Sequence, residues 1–192
     1  DMRYEGRDGF GGRKTAYLDK VTFRIMPEPG AQVAALEAGE VQMLDQIPIP
    51  AARRLASNPH IVLYENLQWA FITFIFNLNE APTDNVKFRE AIQVALNMEE
   101  IMAISSEGLF GLNHRWQYPG STYDPGDIGA EYYNQADAER AKALLDEAGY
   151  NGEEFIILTD STIPAHGRAG VVIGEQLKAI GINVVINQVD WP

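Results

Sequence analysis

Short apolar runs alternate with amphipathic stretches along the whole chain. Runs rich in β-branched and aromatic residues predict strands, and apolar positions at helical spacing between a capping residue and a glycine predict helices. Strands are predicted at residues 21–26, 41–44, 61–64, 70–76, 155–158 and 182–189. Helices are predicted at residues 31–38, 51–57, 86–96, 97–105, 138–148 and 169–180. Because the two kinds of element alternate, the pattern predicts an α/β fold with a mixed or mostly parallel sheet flanked by helices.

Two stretches lack this periodicity. Residues 1–16 are rich in glycine and charge and are predicted to be an irregular lead-in, and residues 17–192 are predicted to form one α/β lobe. Residues 108–133 hold many glycine, proline and aromatic residues, and loops of this length in folded domains are often functional. Because the chain stops directly after a strand-like run, we expect the lobe to be truncated at its C-terminus.

The composition excludes several classes of protein. The 192 residues hold 27 Asp and Glu against 15 Lys and Arg, a net charge of −12, which argues against nucleic acid or an anionic membrane surface as a partner. The absence of cysteine excludes disulfides, thiolate zinc sites and cysteine nucleophiles. No apolar run approaches the ~18 residues of a membrane-spanning helix, so we expect no direct membrane insertion of this chain.

Catalytic and metal-binding patterns are sparse. His60, His114 and His166 are far apart in sequence and lack the spacing of metal ligands, so neither a protein-built metal site nor a cofactor is predicted. One enzymatic alternative stays open. A small α/β hydrolase-like enzyme could use Asp160, Ser161 and His166, which come close together in sequence after a predicted strand.

Six segments together resemble one family. They are YLDKV at 17–21, AALEAGEV at 34–41, FN at 76–77, PTDNVKFREA at 82–91, AKALLDEAGY at 141–150 and LKAIGINV at 177–184. Their order and spacing resemble the family 5 extracellular solute-binding proteins, the dipeptide, oligopeptide and nickel receptors of ABC importers. The resemblance implies a periplasmic-binding-protein-like fold, and it implies that this chain is a fragment covering much of the second of two lobes.

The resemblance also implies a function. It indicates a non-enzymatic substrate-binding component that captures peptides, or a related small solute, in a cleft between two lobes and delivers them to the membrane permease subunits. The implied location is periplasmic or otherwise extracytoplasmic, with a lipid anchor as an alternative in the full-length protein. The lack of metal-ligand spacing makes nickel a weaker choice of solute than peptides.

The resemblance places one ligand contact at the end of the chain. Trp191 stands where peptide-binding members have a pocket-lining tryptophan, although an ordinary core residue at a strand end is the alternative. Dipeptide-binding members have an arginine near the position of Ser161 that clamps the ligand carboxylate. Here the nearest arginine is Arg168, which puts that clamp in doubt.

Two loop regions supply the remaining candidate ligand contacts. Loops at the carboxyl ends of strands are where α/β sheets bind ligands, which indicates Asp160, Ser161, His166 and Arg168. The alternative for this loop is a solvated turn that caps the next helix. The long aromatic loop contributes His114, Arg115, Trp116 and Tyr118, which could line the cleft or pack the loop onto its own domain.

Overall fold

The computed structural model describes residues 17–45, 47–64, 72–109, 111–160 and 163–189. The first three helices of these ranges are α1 (Pro29–Glu37), α2 (Ile49–Ala56) and α3 (Val86–Ala95). They are followed by α4 (Met98–Ser106), a short 3-10 helix (Ala130–Tyr132) and α5 (Ala138–Ala148). The chain then forms β1 (Glu154–Asp160), α6 (Pro164–Ala179) and β2 (Asn183–Val189).

Local capping explains why α3, α4 and α5 begin where the sequence predicts. The side chains of Asn85, Asn97 and Asp137 accept hydrogen bonds from main-chain N–H groups in the first turns of these helices, at 2.9, 3.0 and 2.9 Å. Each bond satisfies one of the N–H groups that a helix start leaves without a partner. At its other end α5 stops at Gly149, whose φ of 69° suits a residue without a side chain.

The two strands form a parallel pair in which Phe155 lies opposite Val184 and Ile157 opposite Ile186. Both strands were predicted, and the pair confirms the α/β class with parallel strands. The side chains of Phe155, Ile157 and Val184 are buried on the face that α6 covers. On the opposite face Ile156 and Leu158 are 48% and 69% exposed.

Four predicted strands are wrong over the residues that the structure describes. Residues 21–26, 41–44, 61–64 and 72–76 form no strand there. An apolar or alternating pattern identifies a segment that could enter a sheet, but a strand also needs a neighbouring edge to complete its hydrogen bonds. Phe23 and Ile75 illustrate the result, since their side chains are 87% and 81% exposed.

Helix α6 begins earlier than predicted, at Pro164 instead of residue 169. Proline fixes φ near its helical value and lacks the N–H that a first-turn residue leaves unbonded, which favours a helix start. As a consequence, His166 and Arg168 lie within the first turns of the helix and not on a loop.

Helix α6 packs closely on the sheet because glycines face it. A Cβ atom on Gly170 would lie 3.2 Å from Cβ of Thr159, and one on Gly174 would lie 2.8 Å from Cδ1 of Ile186. Helix α3 packs on α5, and α4 packs on α6. Phe88 of α3 is 1% exposed and lies against the ring of Phe155, with ring centroids 5.6 Å apart.

The chain divides into two compact units, residues 1–51 and 52–192, with α2 spanning the boundary. In the first unit, Val33 and Ala35 of α1 are buried, and Arg24 pairs with Glu40 at 2.9 Å. The predicted lead-in at residues 1–16 lies outside the described residues, so that boundary stays a prediction. Over the described ranges, every helix is too short or too polar to cross a lipid bilayer.

Candidate functional site

The carboxyl end of β1 holds a hydrogen-bonded pair of side chains. Asp160, the last residue of the strand, is only 7% exposed. Its Oδ1 atom accepts a hydrogen bond from the main-chain N–H of Ile163 at 3.1 Å, and its Oδ2 atom lies 2.9 Å from Nδ1 of His166. Because an ionised carboxylate can only accept, Nδ1 of His166 carries a proton in this pair. In the neutral imidazole the other ring nitrogen, Nε2, is then an acceptor.

A groove of about 720 Å³ runs beside β1, and Asp160 and His166 both line it. Its walls are β1, residues 72–77, residues 80–83 and the first half of α6. The volume lies in the range of roughly 300–1,000 Å³ that is typical of small-molecule sites. Two of the predicted site residues therefore border one groove.

The structure gives Arg168 a partner inside the protein. Its guanidinium donates from Nε and Nη2 to the main-chain oxygen of Ser105, at 3.0 and 2.7 Å. Ser105 lies in the last turn of α4 and is buried. The side chain therefore holds the first half of α6 against the end of α4.

Arg115 organises the long aromatic loop. Its guanidinium pairs with the carboxylate of Asp124, which also accepts the main-chain N–H groups of Gly120 and Gly126 at 2.6 and 3.0 Å. The N–H of Gly120, the Arg115 guanidinium and the N–H of Gly126 lower the pKa of Asp124 to about 2. A second carboxylate, that of Asp127, lies 3.7 Å from Arg115. The loop is thus held by an ion pair at its centre.

The other predicted residues of this loop differ in their exposure. His114 lies 3.2 Å from the main-chain oxygen of Gly126 through Nε2, and its ring is 6.2 Å from that of Tyr133. Burial raises the pKa of the Tyr133 phenol. Tyr118 is half-buried, while Trp116 is 68% exposed. Among the described residues, none of these loop side chains lines the groove beside β1.

Ser161 and Trp191 lie outside the described residues, so their roles stay predictions. Two acidic residues that line the groove, Glu80 and Glu154, were not among the predicted site residues. Glu154 could have been considered, because it shares its strand with Asp160 and points to the same face by the two-residue period of a strand. Glu80 gave no such signal, since the sequence does not indicate that its turn lies beside β1.

A resident metal finds no obvious ligands in the part of the chain that the structure describes. No group of three His, Asp or Glu side chains there is arranged to hold a metal ion.

Comparison with known proteins connects this architecture to a family. The family model for the bacterial extracellular solute-binding proteins, family 5 Middle, matches residues 1–192. A probable peptide ABC transporter periplasmic-binding protein of Sinorhizobium fredii, y4tO, is 30% identical over 98% of this chain. The dipeptide-binding protein of Escherichia coli is 31% identical over 99% of it. This chain spans 36% of the length of each relative.

The likeness extends to a solved structure. The periplasmic binding protein DppA of Helicobacter pylori, in complex with the peptide STSA, superposes with a TM-score of 0.73 at 27% identity. The alignment covers 96% of this chain and 35% of that one. These relatives are binding proteins, and nothing in the comparison favours the hydrolase alternative. The chain belongs to the bacterial extracellular solute-binding proteins of family 5.

Proposed function

We propose that this chain forms much of one lobe of a two-lobed receptor that captures peptides and delivers them to an ABC importer. The observation that carries the proposal is the family match over residues 1–192, supported by relatives that are named for binding dipeptides or peptides. Since the chain spans 36% of those relatives, the other lobe would supply the second wall of the cleft. Closure of the two lobes about a hinge would enclose the ligand.

The groove beside β1 supports an extended peptide as the ligand. β2 pairs with one edge of β1, and all seven residues of β1 line the groove together with residues 72–77 and Asn187 of β2. An extended peptide that lies beside a strand edge can form main-chain hydrogen bonds whatever its side chains are. This mode of binding suits a receptor that accepts many peptide sequences.

Among the candidate contacts, Asp160 and His166 are proposed to meet the ligand directly, because both border the groove. Ser161 and Trp191 are proposed as further contacts on the basis of the family resemblance. Arg168 was predicted as a contact as well. Its two hydrogen bonds to Ser105 favour a role in holding α6, with any effect on the ligand transmitted through the helix.

The long aromatic loop is proposed to form the rim of the cleft. The exposed indole of Trp116 supports this role, because an aromatic face on a loop can pack on ligand side chains. His114, Arg115 and Tyr118 are proposed to lie near it. The ion pair of Arg115 with Asp124 would keep the loop in one conformation in the absence of ligand, which reduces the entropy lost on binding.

The family description supports a location outside the cytoplasm, and we propose that the receptor is periplasmic or held to the membrane by a lipid. Its proposed macromolecular partners are the permease subunits of the importer. The excess of acidic residues is compatible with a receptor that does not adhere to anionic lipid.

Equilibrium binding tests the proposal. Titration of the chain with trialanine at millimolar concentrations is expected to give saturable binding, with the peptide recovered intact by chromatography. Free alanine and glucose serve as controls and are expected to bind more weakly. Binding of free alanine or glucose as tight as that of trialanine, or conversion of trialanine to smaller products by the purified chain, would contradict the proposal.

A further inference from the structure

Three carboxylates line the groove beside β1. Glu154 is the first residue of β1 and Asp160 the last, which places them ~20 Å apart at the rise of a strand. Glu80 contributes a third carboxylate from the turn that precedes α3. Among the described residues that line the groove there is no lysine or arginine. A ligand with positive charge would therefore be attracted at more than one point along the groove.

Apolar side chains lie between these carboxylates. Ile72 and Ile75 line one wall, and Ile156 and Leu158 line the other. All four are substantially exposed, from 42% for Ile72 to 81% for Ile75. Lysine and arginine side chains combine an aliphatic stem with a cationic end, so they can cover apolar surface and still reach a carboxylate. Because the groove has apolar side chains between its carboxylates, it could hold both the aliphatic stem and the cationic end of a lysine or arginine side chain.

His166 adds an acceptor at the end of the groove. Its Nδ1 proton is directed to the buried carboxylate of Asp160, which leaves Nε2 as an acceptor in the neutral ring. An ammonium or guanidinium N–H could donate to this nitrogen while the negative charge of Asp160 lies behind the ring. A ligand carboxylate at the same place would face Asp160, with no lysine or arginine among the described residues that line the groove.

We infer that the groove selects peptides that carry basic side chains, whose cationic ends lie among Glu80, Glu154 and the pair of Asp160 with His166. This inference rests on the proposed function, since it specifies which peptides the receptor captures. It concerns side-chain cations, because the carboxylates are spread along the strand and side chains at several positions of a bound peptide could each reach one of them.

Four matched peptides distinguish the positive charge of a lysine side chain from that of the N-terminal ammonium group. They are Ala-Lys-Ala and Ala-Gln-Ala, each with a free and with an acetylated N-terminus, titrated into the isotope-labelled chain and followed by amide NMR shifts. Both lysine peptides are expected to bind about five-fold more tightly than their glutamine counterparts, which is the upper end of the effect that exposed charge pairs produce. Acetylation is expected to change the affinity less than the loss of lysine does.

The outcomes of this comparison are distinct. Equal affinity for all four peptides would overturn the inference while the proposed function stands. A preference that follows the free N-terminus and not the lysine would overturn it too, because the terminal ammonium would then be the group recognised. If none of the four binds this lobe, the inference is overturned, because the groove then attracts no cationic peptide.

Variants of the groove test which residues carry the preference. The double substitution Glu80→Gln and Glu154→Gln removes two exposed charges without touching buried Asp160, and it is expected to reduce the lysine preference at least two-fold. His166→Ala is expected to reduce it as well. The matched controls are Asp146→Asn on α5 and His60→Ala, both outside the groove lining and exposed, which are expected to keep the preference. A folded Glu80 and Glu154 double variant with the full preference would contradict the inference.

Discussion

Arg168 and Ser105 join two helices that are far apart in sequence. The guanidinium of Arg168 donates two hydrogen bonds, at 3.0 and 2.7 Å, to the main-chain oxygen of Ser105. That oxygen belongs to the last turn of α4, where helical carbonyl groups lack partners within the helix. The contact fixes the first half of α6 and, with it, the orientation of His166 beside the groove.

Replacing Arg168 by alanine is therefore expected to destabilise the chain by about 2 kcal/mol, the typical contribution of hydrogen bonds to a charged group. Arg140→Ala is the matched control, since Arg140 is exposed and donates to the side chain of Gln135, and it should change stability by less than about 0.5 kcal/mol. Urea unfolding followed by circular dichroism measures both variants. Unchanged stability of Arg168→Ala together with weaker peptide binding would instead identify Arg168 as a direct ligand contact.

Gly170 sets how closely α6 approaches β1. A methyl group there would lie 3.2 Å from Cβ of Thr159, an atom that cannot rotate away because it is bonded to the strand backbone. Gly170→Ala is expected to destabilise the chain by about 1 kcal/mol, as the cost of overpacking exceeds the gain in helix propensity. In the control Gly30→Ala on α1, the added atom meets nothing within 4 Å, so stability should be unchanged or slightly raised. Thermal unfolding compares the stability of the two variants. Equal changes in stability would show that the close contact with Thr159 does not destabilise the Gly170→Ala variant.

Asp124 makes the long aromatic loop sensitive to acid. Its pKa is lowered from 3.8 to about 2 by the N–H of Gly120, the guanidinium of Arg115 and the N–H of Gly126. Because the folded pKa lies below the unfolded one, the stabilisation is fully present above pH 3.8 and is lost as the pH falls towards 2. The amide signals of Gly120 and Gly126 should therefore titrate with a midpoint near pH 2.

Two substitutions check that assignment. Asp124→Asn should abolish the transition of both amide signals and leave the loop less ordered at neutral pH. Asp127→Asn should preserve the transition, because Asp127 is 97% exposed and its carboxylate lies 3.7 Å from Arg115. A midpoint near pH 4 in the unmodified chain would mean that Arg115 and the two N–H groups do not hold the carboxylate in solution.

The sequence predicts the helices of this fold better than its strands, because helix capping depends on residues close together in sequence and strand pairing does not. Asn97 and Asp137 cap helices through residues three positions away, so the signal and its target lie in the same short segment. A strand forms its main-chain hydrogen bonds with residues that are distant in sequence. The apolar run at residues 70–76 does not specify with which strand it would pair. Pro164 is an exception in the other direction, since it indicates the start of α6 locally, whereas the predicted helix begins only at residue 169.

The candidate site shows the same limit. Asp160 and His166 are six residues apart across one turn, and their proximity could be predicted from the strand and helix that follow one another. The bond between Arg168 and Ser105 spans 63 positions, and no local pattern specifies it. The groove depends on how residues 72–77 and the turn that contains Glu80 lie relative to β1, so its acidic lining became visible only in the structure.

Mapping a bound peptide on the chain tests most directly whether peptides bind in the groove beside β1. Ala-Lys-Ala is titrated into the isotope-labelled chain and the amide shifts are assigned residue by residue. The largest changes are expected in residues 72–77, in β1 and around His166, with little change on α3 and α5. Changes centred on α3 and α5, or no changes at millimolar peptide, would contradict the account.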